Sequence, residues 1–224
     1  MTGSSIPSPF TAGAIDGRRR VAAFDFDGTI TQQDTLAGFL AAAGGRRRLG
    51  TSMAIDTPGM ARGLRNDEIR DATKERILGR VLRGRTDDDL RISGRAYAAL
   101  LPARFRPATI ERLQWHQRQG HQTVIVSASL VYYLDPVAAA LGVDAVIGVE
   151  MAIGSDGLLS GGLARPNVRA SEKARRLRAW LDATGADIDQ PVELWAYGNS
   201  SGDDQLLAMA AHPTWVGKRA SRNA

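Results

Sequence analysis

The chain has 224 residues, and 43% of them are hydrophobic, which suits a globular protein with one substantial core and room for a smaller inserted unit. The absence of cysteine excludes a disulfide framework or a thiolate metal site and favours a cytoplasmic location, while the lack of any run of about 18 apolar residues excludes a transmembrane helix. The net charge of +5 comes from scattered arginines, so we expect a solvated basic surface, no nucleic-acid partner and at most peripheral contact with a membrane.

The first predicted elements are a tail, a strand and a helix. Residues 1–17 are rich in Ser, Gly and Pro and lack the apolar core of a secretory signal, so we expect a flexible tail. Residues 21–24 are typical of a short buried strand. Asp34 then precedes a helix that we expect to end at Gly44, because paired glycines close helices.

The segment from about residue 46 to residue 105 differs from its surroundings, because strand patterns vanish from it. Its arginine run at residues 46–48 lies beside Gly-rich or loop-like sequence and is a weak indication of contact with an acidic ligand or surface. Residues 67–82 carry apolar side chains at helical spacing, and Thr86 precedes three aspartates that suit the first turn of another helix. The segment is therefore predicted to be an inserted helical unit.

Helices and strands alternate again beyond residue 106. Pro107 is expected to open a helix, and strands are predicted at residues 123–126, 145–149, 192–197 and 214–216. This alternation predicts an α/β fold with a Rossmann-like parallel sheet, in which functional sites lie at the carboxyl ends of strands. The predicted domains are an α/β core at residues 18–40 and 106–218, a helical cap at residues 41–105, and flexible tails at residues 1–17 and 219–224.

Two carboxylates follow the first predicted strand, at Asp25 and Asp27, with Gly28 directly after them. Carboxylates this close raise each other's pKa unless a cation neutralises them, so the pair implies a bound metal. One can then act as nucleophile while the other moves a proton. Gly28 allows a sharp turn that offers a backbone N–H to an anion.

Three further polar segments each follow a buried strand or stand near the start of a helix. Ser127 ends the second strand, where its hydroxyl suits a phosphate oxygen. Lys173 is one of only three lysines in an arginine-rich chain, which indicates a need for a compact point charge. Asn199 and Asp203 lie after a later strand and supply the oxygen ligands that Mg²⁺ prefers.

These four segments, in this order and spacing, resemble the haloacid dehalogenase superfamily, and most closely its phosphoserine-phosphatase-like subfamily (subfamily IB), which carries a helical cap between the first two motifs. The resemblance spans residues 21–216 and implies a phosphatase that works through an aspartyl-phosphate. It implies that Asp25 is the nucleophile and that Asp27 is the general acid and base. The predicted substrate site consists of Gly28, Asp34, Ser127, Ala128 and Lys173. The predicted Mg²⁺ ligands are Asp25, Asp27 through its main-chain carbonyl, Asn199 and Asp203.

Three positions depart from the pattern of phosphoserine phosphatases. Asn199 stands where an Asp is usual, which makes Asp203 the predicted main anionic ligand. Ala128 and Ser129 replace a pair of glycines after Ser127, and Asp34 replaces the Glu that holds the substrate amine. The last two changes lie near the leaving group, so we expect a small-molecule phosphate ester other than free phosphoserine.

Several alternatives remain open at this point. The enzyme could be a phosphoserine phosphatase, a phosphatase for lipid-linked phosphates, or a phosphotransferase to an acceptor other than water. A binding protein that has lost catalysis is a further possibility, which the retained Asp25, Asp27 and Lys173 argue against. The sequence leaves the substrate and the oligomeric state undetermined.

Other conspicuous residues have plainer interpretations. The three histidines lack metal-ligand spacing and are interpreted as surface or packing residues; they are His116, His121 and His212. The basic residues of the cap are expected to be solvated, with the alternative that one of them faces the crevice and binds an anionic group; they are Arg62, Arg65, Arg70 and Lys74.

Overall fold

A computed structural model describes residues 17–63, 66–185 and 191–217. The predicted tails therefore fall outside the described residues, apart from Gly17, and so do Arg65 and Lys218. Within the described part of the chain, no helix is long and apolar enough to cross a membrane.

The core is a five-stranded parallel sheet in the order β3-β2-β1-β6-β7, which confirms the predicted α/β fold. Its strands are β1 (Arg19–Phe24), β2 (Gln122–Leu130), β3 (Ala145–Val149), β6 (Val192–Gly198) and β7 (His212–Trp215). A separate two-stranded antiparallel ribbon pairs β4 (Met151–Ile153) with β5 (Leu159–Leu163), and a turn that contains Asp156 and Gly157 joins them.

The central strand β1 sets the position of the site. Its residues from Val21 to Phe24 are fully buried, as a continuous apolar run between two neighbouring strands requires. Phe24 pairs with Ile125 of β2 and with Tyr197 of β6. The residues that follow these three positions therefore emerge side by side at the carboxyl edge of the sheet.

Four helices lie between residues 107 and 208: α5 (Pro107–Arg118), α6 (Val131–Leu141), α7 (Ser171–Thr184) and the short α8 (Asp204–Ala208). Pro107 occupies the first helical position of α5, as predicted. Gly142 ends α6 in the left-handed conformation, with φ of 67°.

Four more helices lie between β1 and α5: α1 (Leu36–Gly44), α2 (Arg46–Gly63), α3 (Asp67–Leu82) and α4 (Asp87–Ala98). The helices predicted at residues 67–82 and after Thr86 are confirmed, and the Thr86 hydroxyl accepts the amide N–H of Asp89. Residues 46–48 form the first turn of α2. The domain boundaries themselves stay a prediction.

The inserted helices do not all pack in the same place. Helices α1, α2 and α3 pack on one another, whereas α4 packs on α6 of the core. Gly94 makes the α4 contact so close that a β-carbon there would collide with the Tyr132 carbonyl. On the cap side, α3 forms the roof of the crevice at this edge of the sheet, through Arg70, Asp71 and Lys74.

Candidate active site

Asp25 is the first residue beyond β1, and a tight turn at Phe26–Ile30 follows it. Gly28 adopts φ of 81° in this turn, a region that favours glycine. A β-carbon on Gly28 would also collide with the carboxamide of Asn199. The turn from β1 and the turn after β6 are therefore in close contact.

A buried ion pair joins Asp25 to Lys173. The Lys173 Nζ lies 2.5 Å from Asp25 Oδ1 and 2.5 Å from Asp203 Oδ1, and the Thr29 hydroxyl donates to Asp25 Oδ2 at 3.0 Å. Burial raises the pKa of Asp25, although the ammonium of Lys173 opposes this. Burial lowers the pKa of Lys173, but the two carboxylates outweigh it, so the net shift is upward and Lys173 stays charged.

Asp203 acts as an anchor for the turn after β6. Its Oδ2 accepts the backbone N–H groups of Asn199 and Ser200 at 3.1 and 3.0 Å and the Ser200 hydroxyl at 2.9 Å, while Oδ1 accepts from Lys173. Both carboxylate oxygens are thus committed to donors. This geometry does not support the prediction that Asp203 is the main anionic metal ligand, and it favours a positioning role.

The donors that suit a divalent cation meet beside Asn199. One terminal atom of its carboxamide lies 3.1 Å from the Asp27 main-chain carbonyl oxygen, 3.3 Å from Asp25 Oδ2 and 3.2 Å from Thr29 Oγ1. If this atom is the amide nitrogen, it donates to those oxygens. If it is the amide oxygen, it accepts from the Thr29 hydroxyl and faces the Asp27 carbonyl oxygen and Asp25 Oδ2. Ligands of an octahedral Mg²⁺ at about 2.1 Å are about 3.0 Å apart along an edge, so the second arrangement fits that ion.

A cluster of three or more His, Asp or Glu side chains that could hold a metal is absent from residues 17–63, 66–185 and 191–217. A magnesium site at Asn199 does not need such a cluster, because its ligands would be one carboxylate, one carboxamide and one main-chain carbonyl. These are the hard oxygen ligands that Mg²⁺ accepts together with water.

Asp27 is held by donors from both sides of the crevice. Its Oδ1 accepts the backbone N–H and the hydroxyl of Thr35 at 2.7 and 2.6 Å, and its Oδ2 accepts the hydroxyl of Ser129. Thr35 is bonded in turn to the hydroxyls of Tyr133 and Tyr97. Burial, with the charge of a neighbouring carboxylate, raises the pKa of Asp27, and these hydrogen bonds oppose the rise.

Ser127 is buried at the floor of the crevice, and its Oγ accepts the backbone N–H of Ser129 at 3.1 Å. Strand β2 continues through Ser127 and ends at Leu130, later than the predicted end at residue 126. Ala128 lines the same crevice. The sequence treated Ser129 only as a lost glycine, and its bond to Asp27 became visible only in three dimensions.

Lys74 corrects the expectation that the basic residues of the cap are solvated. Its Nζ donates to the carbonyl of Ala128 and, at 2.8 Å, to Oδ1 of Asn167, whose amide donates to Asp71. Burial lowers the pKa of Lys74 to about 8. Arg70 lines the crevice as well. The alternative that a basic residue of the cap faces the crevice is the one that the structure supports.

The crevice has a volume of about 250 Å³. It brings together nearly all predicted site residues and several residues that were not predicted to belong to the site. The residues that line it are Asp25, Asp27, Asp34, Leu36, Arg70, Asp71, Lys74, Ser127, Ala128, Asn167, Arg169, Lys173, Ser200, Gly202 and Asp203. Asp34 lies at its edge, where Oδ1 accepts the N–H of Leu36 at 3.0 Å. Asp34 therefore has two roles at once: it accepts a hydrogen bond from the start of α1, and it lines the crevice.

A strained residue precedes Lys173. Ala170 has φ of 49° and ψ of −121°, and its N–H donates to the carbonyl of Gly202 at 2.9 Å. Lys173 lies in the first turn of α7, which starts at the next residue, Ser171. The unusual backbone therefore fastens the start of α7 to the turn that carries Asp203.

The histidines lie away from the crevice, which agrees with a packing role. His116 is fully buried and is bonded through Nε2 to the Tyr197 hydroxyl and through Nδ1 to His121 Nδ1, each at 2.8 Å. Trp195 stacks with His121 on one side and with His212 on the other.

Comparison with known proteins supports the interpretation of the motifs. Residues 22–208 match the haloacid dehalogenase-like hydrolase family. The chain is 34% identical over 209 residues to "Protein CicA" of Caulobacter vibrioides, covering 93% of this chain and 90% of that protein. Shorter matches are to a histidinol-phosphatase of Neisseria meningitidis (29% identity, 46% of this chain and 47% of that protein) and a phosphoserine phosphatase of Idiomarina loihiensis (31%, 49% and 48%).

Solved structures share the fold at low sequence identity. A protein of unknown function from Bordetella pertussis aligns with a TM-score of 0.72 at 23% identity, covering 85% of this chain and 86% of that one. A substrate-bound phosphoserine phosphatase aligns with a TM-score of 0.58 at 13% identity, covering 86% and 83%. At these identities the likeness concerns the fold.

Proposed function

The chain belongs to the haloacid dehalogenase-like hydrolase family and is a phosphoric monoester hydrolase, and from this premise we propose that it works through a phosphorylated Asp25 and requires Mg²⁺. One observation carries the proposal. The carboxylate of Asp25 is buried at the carboxyl end of the central strand and is held by Lys173 and Thr29, so that it faces the crevice in a fixed orientation.

In the proposed first step, a carboxylate oxygen of Asp25 attacks the phosphorus atom and the bond from phosphorus to the leaving oxygen breaks. Lys173 and Ser127, which line the same crevice, are placed to bind the phosphoryl oxygens. The backbone N–H groups of the turn after Asp25 add donors at the strand end. Positioning and charge neutralisation are the main contributions that a protein makes to phosphoryl transfer.

Asp27 is the proposed general acid and base. Burial favours its protonated form, which suits it to protonate the leaving oxygen, and the resulting carboxylate then takes a proton from the water that attacks the aspartyl-phosphate. The donors Thr35 and Ser129 stabilise this carboxylate between the two steps. Hydrolysis returns Asp25 to its free form and releases phosphate.

The proposed Mg²⁺ ligands are Asp25, the main-chain carbonyl of Asp27 and Asn199. When bound there, the ion supplies positive charge that neutralises the oxygens of the transferring group. Asp203 is assigned to holding Asn199 and Lys173 in place, because its oxygens accept from both residues.

The proposed substrate is a small-molecule phosphate ester other than free phosphoserine. Asp34 and Ala128 line the crevice beside the phosphoryl site, but Oδ1 of Asp34 is already engaged by the start of α1. The names of the relatives make O-phosphoserine and histidinol phosphate necessary members of any test panel. Transfer of the phosphoryl group to an acceptor other than water would use the same site residues and remains the alternative reaction.

A cytoplasmic location is proposed from the cysteine-free composition.

The test is to compare the wild-type protein with Asp25→Asn on a panel of phosphate monoesters, with Mg²⁺ and with excess chelator. We expect chelator to abolish turnover and Asp25→Asn to lower kcat by more than about 10⁴-fold, because loss of a nucleophile has effects of that size or more. Acid-quenched wild-type protein should carry acyl phosphate. A variant that folds normally and retains more than about a hundredth of the wild-type kcat would rule out the covalent mechanism.

A further inference from the structure

A second cavity lies under the roof of the crevice, between α1, α2 and α3. Its volume is about 280 Å³. Its walls are mainly apolar side chains, chief among them Leu36, Leu40, Leu49, Met53, Ile77 and Leu78. We call this space the cap chamber. Ala37 and Met60 in its walls are exposed, so the space is an apolar cleft open to solvent and not a part of the packed core.

The cap chamber adjoins the catalytic crevice. Asp34, Leu36, Arg70 and Lys74 line both spaces. The two spaces therefore share a boundary on the cap side of the crevice that contains Asp25. The boundary is polar on one side and leads to an apolar interior on the other.

The chemistry of the chamber selects among leaving groups. A charged amino-acid head placed among leucine, isoleucine and methionine side chains would lose its water without gaining hydrogen bonds, which is strongly unfavourable. An alkyl, acyl or aromatic group would instead gain by leaving water.

We propose that the cap chamber is the leaving-group site of this phosphatase and that its substrates are phosphate monoesters whose alcohol carries an apolar portion. The proposal rests on the proposed function, because it uses the same phosphoryl site. Lys74 and Arg70 stand at the entrance, where they suit an ester or a second acidic group close to the phosphate.

The test is a homologous series of straight-chain alkyl phosphates from ethyl to octyl, with phenyl phosphate, O-phosphoserine and histidinol phosphate, all assayed with Mg²⁺. We expect kcat/KM to rise by roughly two- to fourfold for each added methylene until the chamber is full. Calorimetric titration of Asp25→Asn with ethyl and octyl phosphate measures the same preference without turnover, and octyl phosphate should bind more tightly.

A matched pair of variants locates the effect. Ala37 lines the chamber on α1, and Ala42 lies on the same helix, exposed and outside the lining. Ala37→Leu should move the best chain length to a shorter alkyl group and lower the ratio of octyl to ethyl kcat/KM by about tenfold or more, because it fills part of the space. Ala42→Leu should leave that ratio unchanged.

Two outcomes separate failure of this inference from failure of the proposed function. If kcat/KM does not depend on chain length, or if both alanine variants shift the ratio equally, the cap chamber is not the leaving-group site, while Asp25-dependent hydrolysis still stands. If no ester of the panel is hydrolysed in a metal-dependent way, the proposed function fails and this inference fails with it.

Discussion

The two sides of the crevice are built from different materials. On the core side, charged groups are buried and bonded to one another, with Lys173 and Asp203 only 3% and 1% exposed in their side chains. On the cap side, apolar groups surround a space, and the α2 residue Met60 is 40% exposed. The core side holds its charged groups in fixed positions, whereas the cap side forms an apolar space.

This difference indicates a division of labour. A bonded network of buried charges tolerates little displacement, because each lost partner leaves an unpaired charge in a low-dielectric environment. An apolar wall tolerates substitution of similar volume at small cost. We therefore expect variants on the core side to change kcat steeply and variants on the cap side to change the choice of substrate.

The largest effect expected here comes from Asp27→Asn on the core side. Removal of general acid–base help should lower kcat by about 10²–10⁴-fold, while binding of a phosphate analogue survives because the main-chain carbonyl of Asp27 is retained. Rapid-quench measurements should show slower formation and slower breakdown of the phosphoenzyme. Unchanged rates for both steps would remove Asp27 from the mechanism.

A smaller effect is expected for Ser129→Ala, which removes one donor from Asp27. We expect roughly a tenfold loss in kcat, because one hydrogen bond to a charged group is worth about 1.5–3 kcal/mol at most. The bond lowers the pKa of Asp27, so its loss should move the acid limb of phosphoenzyme hydrolysis to higher pH.

The pH profile separates positioning from folding. Ser129→Thr keeps the hydroxyl and should restore both the rate and the profile. A Ser129→Ala variant with a slower rate but an unshifted acid limb would show that Ser129 supports the fold and not the proton transfer.

The metal site gives a comparison within the core side. Asn199→Asp adds an anionic oxygen to the proposed ligand set and should tighten Mg²⁺ by about tenfold, measured by activity against metal concentration. Asp203→Asn should lower kcat and thermal stability while changing metal affinity less, because Asp203 holds the turn. Loss of metal binding in Asp203→Asn with an otherwise intact turn would restore Asp203 as the main ligand.

The smallest effect concerns stability against acid. Burial, with the neighbouring His121 and Arg112, lowers the pKa of His116 from 6.5 to about 4. The unfolded chain therefore binds a proton that the folded chain does not, so the stability that neutral His116 provides should fall as pH drops from 6.5 toward 4, by up to about 3 kcal/mol.

Chemical denaturation at a series of pH values tests this expectation. His116→Gln should flatten the decline between pH 6.5 and 4, because the group that takes up the proton is gone. His212, which is exposed on β7, is the matched control, and His212→Gln should keep the wild-type slope. Equal slopes in all three proteins would rule out His116 as the source.

Much of the fold could be predicted from sequence, because the buried strands are short continuous apolar runs between glycines and prolines. Helix α2 could not. Its first turn carries three arginines, whose positive charge is unfavourable at the start of a helix, and it contains Gly50, Pro58 and Gly59, which oppose a helix by propensity. Packing of Leu49 and Met53 against the neighbouring helices outweighs that local preference.

The candidate site shows the same limit. Asp25, Asp27 and Lys173 carry their chemistry in residue type and in their place beside strand ends, so sequence could find them. The contact between Lys74 and Ala128 joins residues that are 54 positions apart, so no local sequence pattern predicts it. Ser129 was visible only as a departure from glycine, and its partner lies 102 positions away.

The strained backbone at Ala170 has a consequence for how the site meets its ligand. An alanine held at φ of 49° persists only where its surroundings over-determine the conformation, so the position of Lys173 is fixed before any phosphate arrives. Glycine there would relieve the strain but would let the segment sample more conformations, which the ligand would then have to restrict. Ala170 therefore marks a site in which the entropy cost of ordering the lysine is met during folding and not during binding.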